Sequence, residues 1–262
     1  MAILMCRPDH YGVEYEINPW MHVETGVDRE KAGSQWQALY STYRDLGQTV
    51  ELVDQAPGQP DMVFIANAAL VHGSTAVLAR FRHPERRGEE PFWREALADR
   101  GLRLREVSPA VTFEGAGDAL FVSDRIFAGH GFRTDIEAHR ELARWFDVEV
   151  VSLQLVDPFF YHLDTCFCPL APEVVMFAPR AFSPQSARTI RALVPHVIEV
   201  PTWLARDFIC NGVVVGDRLL SSTGVEKLDG ELHHEGLAAT ALPMTEFLKA
   251  GGGVRCLTLE LD

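Results

Sequence analysis

Two spacings of apolar residues alternate along the chain. Over Ala32, Trp36, Leu39 and Tyr43 they recur every three or four positions, which predicts a helix from about Arg29 to Leu46, ended by Gly47. Further helices are predicted over Glu90 to Asp99, from a Thr134/Glu137 capping box towards Phe146, from Ser183-Pro184 as N-cap and first turn, and from Pro243 to Gly251. Between them lie short β-rich runs: the opening to Met5, Val50 to Val53, Leu102 to Val107, Val148 to Leu153 and Val197 to Val200. Each after the first is followed by a run that reads as a hairpin, over Asp61 to Gly73, Asp118 to Gly131, Asp164 to Pro179 and Cys210 to Ser222. In the closing run GGGVRCLTLELD, Gly251 to Asp262, three glycines precede an alternating strand. That pattern puts Cys256 on the face opposite Leu257, Leu259 and Leu261.

The hairpins are a repeat. They begin at Asp61, Asp118, Asp164 and Asn211, and Cys256 falls where a fifth is due, at intervals of 57, 46, 47 and 45 residues. Periods of this size signal a repeat architecture. Four full units plus a fifth shared between the chain ends predict a closed α/β ring of ββαβ units, the last strand pairing with the first; closure removes sheet edges. An open α/β sheet is the alternative. A doubly wound nucleotide fold is disfavoured, because GAG (Gly115 to Gly117) and GHG (Gly129 to Gly131) lack the full glycine fingerprint between strand and helix.

Composition narrows the class. With 262 residues, 47% hydrophobic and 23% charged, the chain reads as one globular domain over 1–262. A net charge of -13 argues against nucleic acid, whose phosphates it repels, and is compatible with a small cationic substrate. Five cysteines are an odd number in a chain too large to need staples, so free thiols in a reducing compartment are expected. MAILMC has no basic n-region, and no apolar run is long enough for a bilayer; a cytoplasmic protein with no membrane partner is expected. Homo-oligomerisation is left open.

In such a ring, equivalent positions of each unit converge on the axis. The polar residues there are Asp61 and Asn67, Glu114 and Asp118, His162 and Asp164, Asn211, and Cys256. A cysteine, a histidine and a carboxylate at equivalent places are the inventory of nucleophilic catalysis. On a strand, His162 would share a face with Asp164 and Cys166. A zinc site at His162, Cys166 and Cys168 is disfavoured, since no second cysteine pair exists; no metal and no cofactor are expected. Arg80, Arg82, Arg86 and Arg87 read as a solvated loop, whereas Arg133, just before a helix, is placed to grip a carboxylate.

The motifs MCRPDHYGVEYEINPWM, DMVFIAN, EGAGDAL, GHGFRT, HLDT and GGGVRCLT, in that order, resemble the guanidino-group-modifying (pentein, amidinotransferase-like) superfamily over nearly the whole chain. The resemblance implies a five-bladed α/β propeller. It implies Cys256 as nucleophile, His162 as general acid/base and Glu114 as the carboxylate holding the substrate guanidinium. Asp61 and Phe64 match pocket-shaping positions, and Arg80 and Arg133 match arginines that take the α-carboxylate. Deiminases and dimethylaminohydrolases carry an acid where this chain has Asn67. Asn67, with Asn18 in INPWM, is similar to the arginine dihydrolases, which convert arginine to ornithine, ammonia and carbon dioxide. The alternatives are a dimethylargininase or deiminase giving citrulline, and a non-catalytic binding protein on the same ring, which would be expected to lack the Cys/His/Glu set.

Overall fold

In the computed structural model, which describes residues 2–261, every described strand belongs to one of five three-stranded sheets. Met1 and Asp262, the outer ends of the predicted opening strand and closing run, lie outside the described residues. The first blade is built from both ends of the chain: Ala2–Cys6 lies between Thr49–Val53, parallel, and Leu259–Leu261, antiparallel. The second contains Ala69–His72, Thr75–Leu78 and Arg103–Glu106. The third contains Ala119–Val122, Arg125–His130 and Glu149–Gln154. The fourth contains Phe167–Ala171, Val174–Phe177 and His196–Glu199, and the fifth Val213–Val215, Arg218–Ser222 and Ala238–Leu242.

One rule generates all five. The central strand pairs antiparallel with the inner strand, its hairpin neighbour in every blade but the first, and parallel with the strand that follows. A parallel partner cannot be reached by a tight turn, so a helix fills each crossover. Asp28 caps the Arg29–Asp45 helix by accepting from the Lys31 amide at 3.0 Å. The residues it buries are Ala32, Gln35, Trp36, Leu39 and Tyr43, the apolar stripe that the spacing predicts plus one glutamine. Ser183 and Pro184 start the Pro184–Leu193 helix as expected, the hydroxyl accepting from the Ser186 amide.

Four expectations are corrected. The residues of DMVFIAN form two short 3-10 turns, Pro60–Val63 and Ile65–Ala68, and the hairpin begins at Ala69. Counted from the inner strands (Ala69, Ala119, Phe167, Val213, Leu259), the repeat is more even, 46 to 50 residues. Thr134 is no helix cap: Asp135 is the N-cap residue of Ile136–Phe146, and the Thr134 hydroxyl instead accepts from the Glu114 amide at 3.0 Å. Only Thr245–Leu248 of the predicted last helix is α-helical, and the polar stretch after Ser222 holds the Asp229–His234 helix and the strand that completes the fifth blade. Finally, Cys256 is not on a strand. The backbone turns there, with the Leu257 amide bonded to the Gly253 carbonyl and that of Thr258 to the Arg255 carbonyl.

Inner strands of all five blades line one cavity of about 330 Å³ on the axis, and the apolar core lies between blades. Leu259, 1% exposed, packs with Leu4 and Leu261 against the second blade. Leu259→Ala leaves a hole where the ring closes, and the expected loss is about 2–5 kcal/mol in a denaturant titration. An unchanged midpoint would mean that closure contributes nothing to stability.

Candidate active site

The polar residues at the axis sit in turns immediately before the inner strands, where backbones crowd. Gly115 follows Glu114 with φ +61°, and a Cβ there would lie 2.7 Å from the Ala66 carbonyl oxygen. A Cβ on Gly252 would lie 2.2 Å from the Phe64 ring. Neither position tolerates a side chain without moving the wall. The glycines therefore serve close approach more than hinge motion.

Glu114 is fully buried. One carboxylate oxygen accepts from His162 Nε2 at 2.7 Å and from Arg133 Nη1 at 3.0 Å. The other accepts from the Arg82 amide at 3.2 Å. Burial alone would raise this carboxyl, but Arg133 and His162 outweigh it and hold it well below the usual carboxylate range. Glu114 is thus a permanent anion. Arg133 grips a carboxylate, as its sequence position suggested, and that carboxylate is Glu114. Its Nη2 also donates to the Ile17 carbonyl at 3.0 Å, and its guanidinium lies 4.6 Å from the Tyr161 ring centre.

The thiol is built differently. Cys256 is 3% exposed; its Sγ accepts from Asn211 Nδ2 at 3.1 Å and donates to Asp164 Oδ2 at 3.4 Å. Asn211 also accepts the Cys256 amide at 3.2 Å, fixing the turn. Burial pushes the thiol up, and the neighbouring Asp164 charge pushes it further. Burial likewise pushes Asp164 up to about 7, against the opposing hydrogen bond from Cys256. His162 shares no strand face with Asp164 and Cys166: it precedes the short turn Leu163–Thr165, while the Cys166 thiol is buried against backbone carbonyls. Among the described residues no group of three or more His, Cys, Asp or Glu could hold a metal ion, and all five cysteines are free.

Asn67 is 2% exposed. Its Oδ1 accepts from Arg86 Nη1 at 2.8 Å, and its Nδ2 donates to the Glu114 carbonyl at 3.4 Å. Arg86 therefore decides which end of the amide faces the axis. Far from being solvated, Arg86 is 3% exposed and bidentate on Glu89, at 2.7 and 3.0 Å, with Trp93 Nε1 donating to the same carboxylate at 3.1 Å. Burial raises Asp61 to about 6 although Arg86 pulls it down.

These groups meet at a cavity of about 10 Å³, room for a single water. Asn18, Asp61, Phe64, Asn67, Arg133 and Cys256 line it, joined by Ile17, Arg86 and Tyr161, and Glu114 and His162 stand directly behind. Asn18 donates to the Ala250 carbonyl at 3.1 Å and accepts from the Trp20 amide at 2.9 Å, strapping INPWM across the opening. Arg80 is not brought there. Its guanidinium faces Glu106 at 4.0 Å on the flank of the second blade, because residue 80 already belongs to the chain leaving the hairpin. Sequence reasoning singled out Asp164 and Asn211 by position without giving them a task, and it missed Arg86 and Tyr161. The signal for Arg86 was its spacing to Glu89, three residues on, with Trp93 a further four residues along the same helical face.

A family model described as N,N dimethylarginine dimethylhydrolase, eukaryotic, matches residues 16–262. The chain is 45% identical to the bifunctional arginine dihydrolase/ornithine cyclodeaminase ArgZ of Synechocystis sp., over 100% of this chain but 38% of that protein. It thus spans about two-fifths of that relative's length. It is 40% identical to the N(G),N(G)-dimethylarginine dimethylaminohydrolase of Mycobacterium tuberculosis, over 98% of this chain and 84% of the other. The crystal structure of the N-terminal domain of ArgZ with an asparagine replaced by serine, covalently bonded to a reaction intermediate, superposes with a TM-score of 0.96 at 44% identity, covering 100% and 97% of the two chains. By model, sequence and five-bladed fold together, the chain belongs to the dimethylarginine dimethylaminohydrolase family of guanidino-modifying pentein proteins.

Proposed function

We propose that the protein hydrolyses the guanidino group of arginine through a covalent intermediate on Cys256, as an arginine dihydrolase, with residues 1–262 acting as one unit. The observation that carries this reading is the cavity itself. The Cys256 thiol, the neutral Asn67 amide and the Asp61 carboxyl line it together with Arg86 and Arg133, and Arg133 in turn holds the ionised Glu114 carboxylate that is bonded to His162. Five free thiols favour a reducing, cytoplasmic setting.

The chemistry follows from the charges. In the free protein, burial disfavours the Cys256 thiolate. A guanidinium entering between Glu114, Asp61 and Asp164 supplies the missing positive charge, so the substrate itself favours ionisation of the thiol. The thiolate adds to the central carbon; a C–N bond breaks, and ammonia leaves with a proton from His162. This leaves an S-alkylthiouronium. Water deprotonated by His162 adds next, and a second ammonia departs while the C–S bond stays. A further water cleaves the resulting thiocarbamate, and the carbamate loses carbon dioxide to give ornithine. Glu114 holds and orients His162, and Arg133 and Arg86 are the cations available to a substrate α-carboxylate; Arg80 has no such place.

Asn67 decides the partition. Its Oδ1 is occupied by Arg86, so it presents N–H donors and no negative charge to the intermediate. An ionised side chain there would hold the cationic adduct more tightly and favour early loss of sulfur, which gives citrulline. The asparagine-to-serine ArgZ domain covalently bonded to an intermediate supports an amide acting after adduct formation. The Mycobacterium tuberculosis relative favours a second reading, dimethylargininase, in which dimethylarginine is cleaved to citrulline.

With arginine the products are expected to be ornithine and ammonia in a one-to-two ratio. Citrulline as the sole organic product overturns the dihydrolase reading. Cys256→Ser is expected to abolish turnover with the fold retained by circular dichroism, and His162→Gln to slow it by about 10²–10⁴-fold. Asn67→Ser is expected to accumulate a covalent adduct visible by intact-mass spectrometry.

Stability carries an independent signature of the buried acid. Asp164 is raised from 3.8 to about 7, so its contribution is fully present below pH 3.8 and is lost as pH rises to about 7. Asp164→Asn escapes that loss. Its stability relative to the parent is expected to grow between pH 4 and pH 7 and to stay level above, as read from denaturant midpoints; a difference independent of pH would mean that Asp164 ionises normally.

A further inference from the structure

Three N–H groups converge on the fully buried Glu89 carboxylate. Arg86 Nε donates to Oε1 at 2.7 Å, while Arg86 Nη2 and Trp93 Nε1 donate to Oε2 at 3.0 and 3.1 Å. The cluster is built locally. Arg86 and Glu89 share the 3-10 turn Pro84–Glu89, and Trp93 lies in the helix Glu90–Ala98 that follows. The rest of the guanidinium reaches out of it. Nη1 donates to Asn67 Oδ1 at 2.8 Å and Nη2 to the Asp61 carbonyl at 3.2 Å, over a Phe81 ring centred 4.4 Å away. Four of the five N–H groups of Arg86 are thereby committed. Glu89 itself does not line the site cavity. Nor is a buried ion pair strong evidence for stability, because well-packed apolar residues often do as well. What the pair supplies is direction. A guanidinium gripped at both Nε and Nη2 has its remaining nitrogen, Nη1, pointed at a fixed place.

We propose that Glu89 is a positioning residue: by gripping Arg86 it aims Nη1 at Asn67 Oδ1 and keeps the N–H end of the Asn67 amide turned to the axis. The amide's own hold is weak. Asn67 Nδ2 has a long bond, 3.4 Å, to the Glu114 carbonyl, so Arg86 is the partner that fixes it. An amide released from Arg86 can turn over and offer its carbonyl oxygen to a cationic adduct instead. That change imitates, in part, an ionised side chain at residue 67 and favours early loss of sulfur. In Glu89→Gln the side chain keeps its length but offers one acceptor oxygen to three donors. Its NH2 group must then face at least one Arg86 N–H, and the bidentate hold is lost.

The inference rests on the role given to Asn67 in the proposed function. Its test is a double-mutant cycle on the whole chain, with Glu89→Gln, Asn67→Ser and the two combined. The rate of substrate consumption and the citrulline share are measured with arginine, and with dimethylarginine if arginine is not consumed. Glu89→Gln is expected to raise the citrulline share about tenfold, the factor carried by one charge-assisted hydrogen bond, and to slow turnover more than it raises KM. In the Asn67→Ser background it is expected to change neither further, because the group it acts through is gone. If Glu89→Gln does not fold, Glu89→Asp takes its place in the cycle with the same expectation, since it keeps the charge and draws the grip back by one methylene. Losses that multiply in the combined variant, or a lowered melting temperature with the parent's kinetics, overturn the inference. Citrulline as the parent's sole product sinks the dihydrolase reading alone, and the cycle, read on the rate of consumption, still decides. Consumption of neither substrate overturns both.

Discussion

A carboxylate with no access to water must be paired, and Glu114 is the group on which the site depends for that reason. Its charge is held by Arg133 and His162. Through Arg133 it also ties the third blade to the INPWM strap at Ile17. Replacing an interaction of this kind by one partner alone leaves an uncompensated buried charge, which costs about 3–5 kcal/mol. The ring geometry follows from the same constraint. Turns from the blades bring their polar groups to one axis, where Glu114 finds its complements in Arg133 and His162.

Around that fixed anion the remaining carboxyls behave oppositely. Asp61 and Asp118 are raised to about 6 and Asp164 to about 7, each by burial. Glu114 is pulled down by two partners in direct contact, whereas the Asp164 carboxylate takes one hydrogen bond, from the thiol. Environments that push like groups apart assign their tasks. In the proposed mechanism the anchored Glu114 orients the histidine, while Asp164 accepts the hydrogen bond of the Cys256 thiol.

The parts of this design legible in the sequence were those written locally. The helical stripe Ala32, Trp36, Leu39 and Tyr43 and the repeat interval both describe neighbours close in the chain, and the count of five units follows from them. Cys256, His162 and Glu114 were grouped as candidates because equivalent positions in a ring converge, and the roles expected of them came from the resemblance. Arg86 was misread because RFRHPERRGEE looks like a solvated loop until one knows that Asn67 and Asp61 stand beside it; its burial depends on a different turn of the second blade. Arg80 failed for the converse reason, since a variable loop leaves no local mark of which arginine reaches the axis. Cys256 was assigned to a strand from alternation alone, yet the three preceding glycines and Asn211 hold a turn there, and only Leu259–Leu261 pairs. The segment Val225–Leu242 was invisible because its helix is too short to show a period.

The tightness of the cavity bears on the chemistry. At about 10 Å³ the site has room for a single water and less than a guanidinium group needs, so the wall has to give way when substrate enters. That makes water exclusion a property of the resting protein. In the proposed route two waters must nevertheless reach the same carbon in turn, each after an ammonia has left, and each departing ammonia frees roughly the volume the next water needs. A closed, polar cavity with replaceable contents suits two successive displacements. An open one would admit water early and end the reaction at the first.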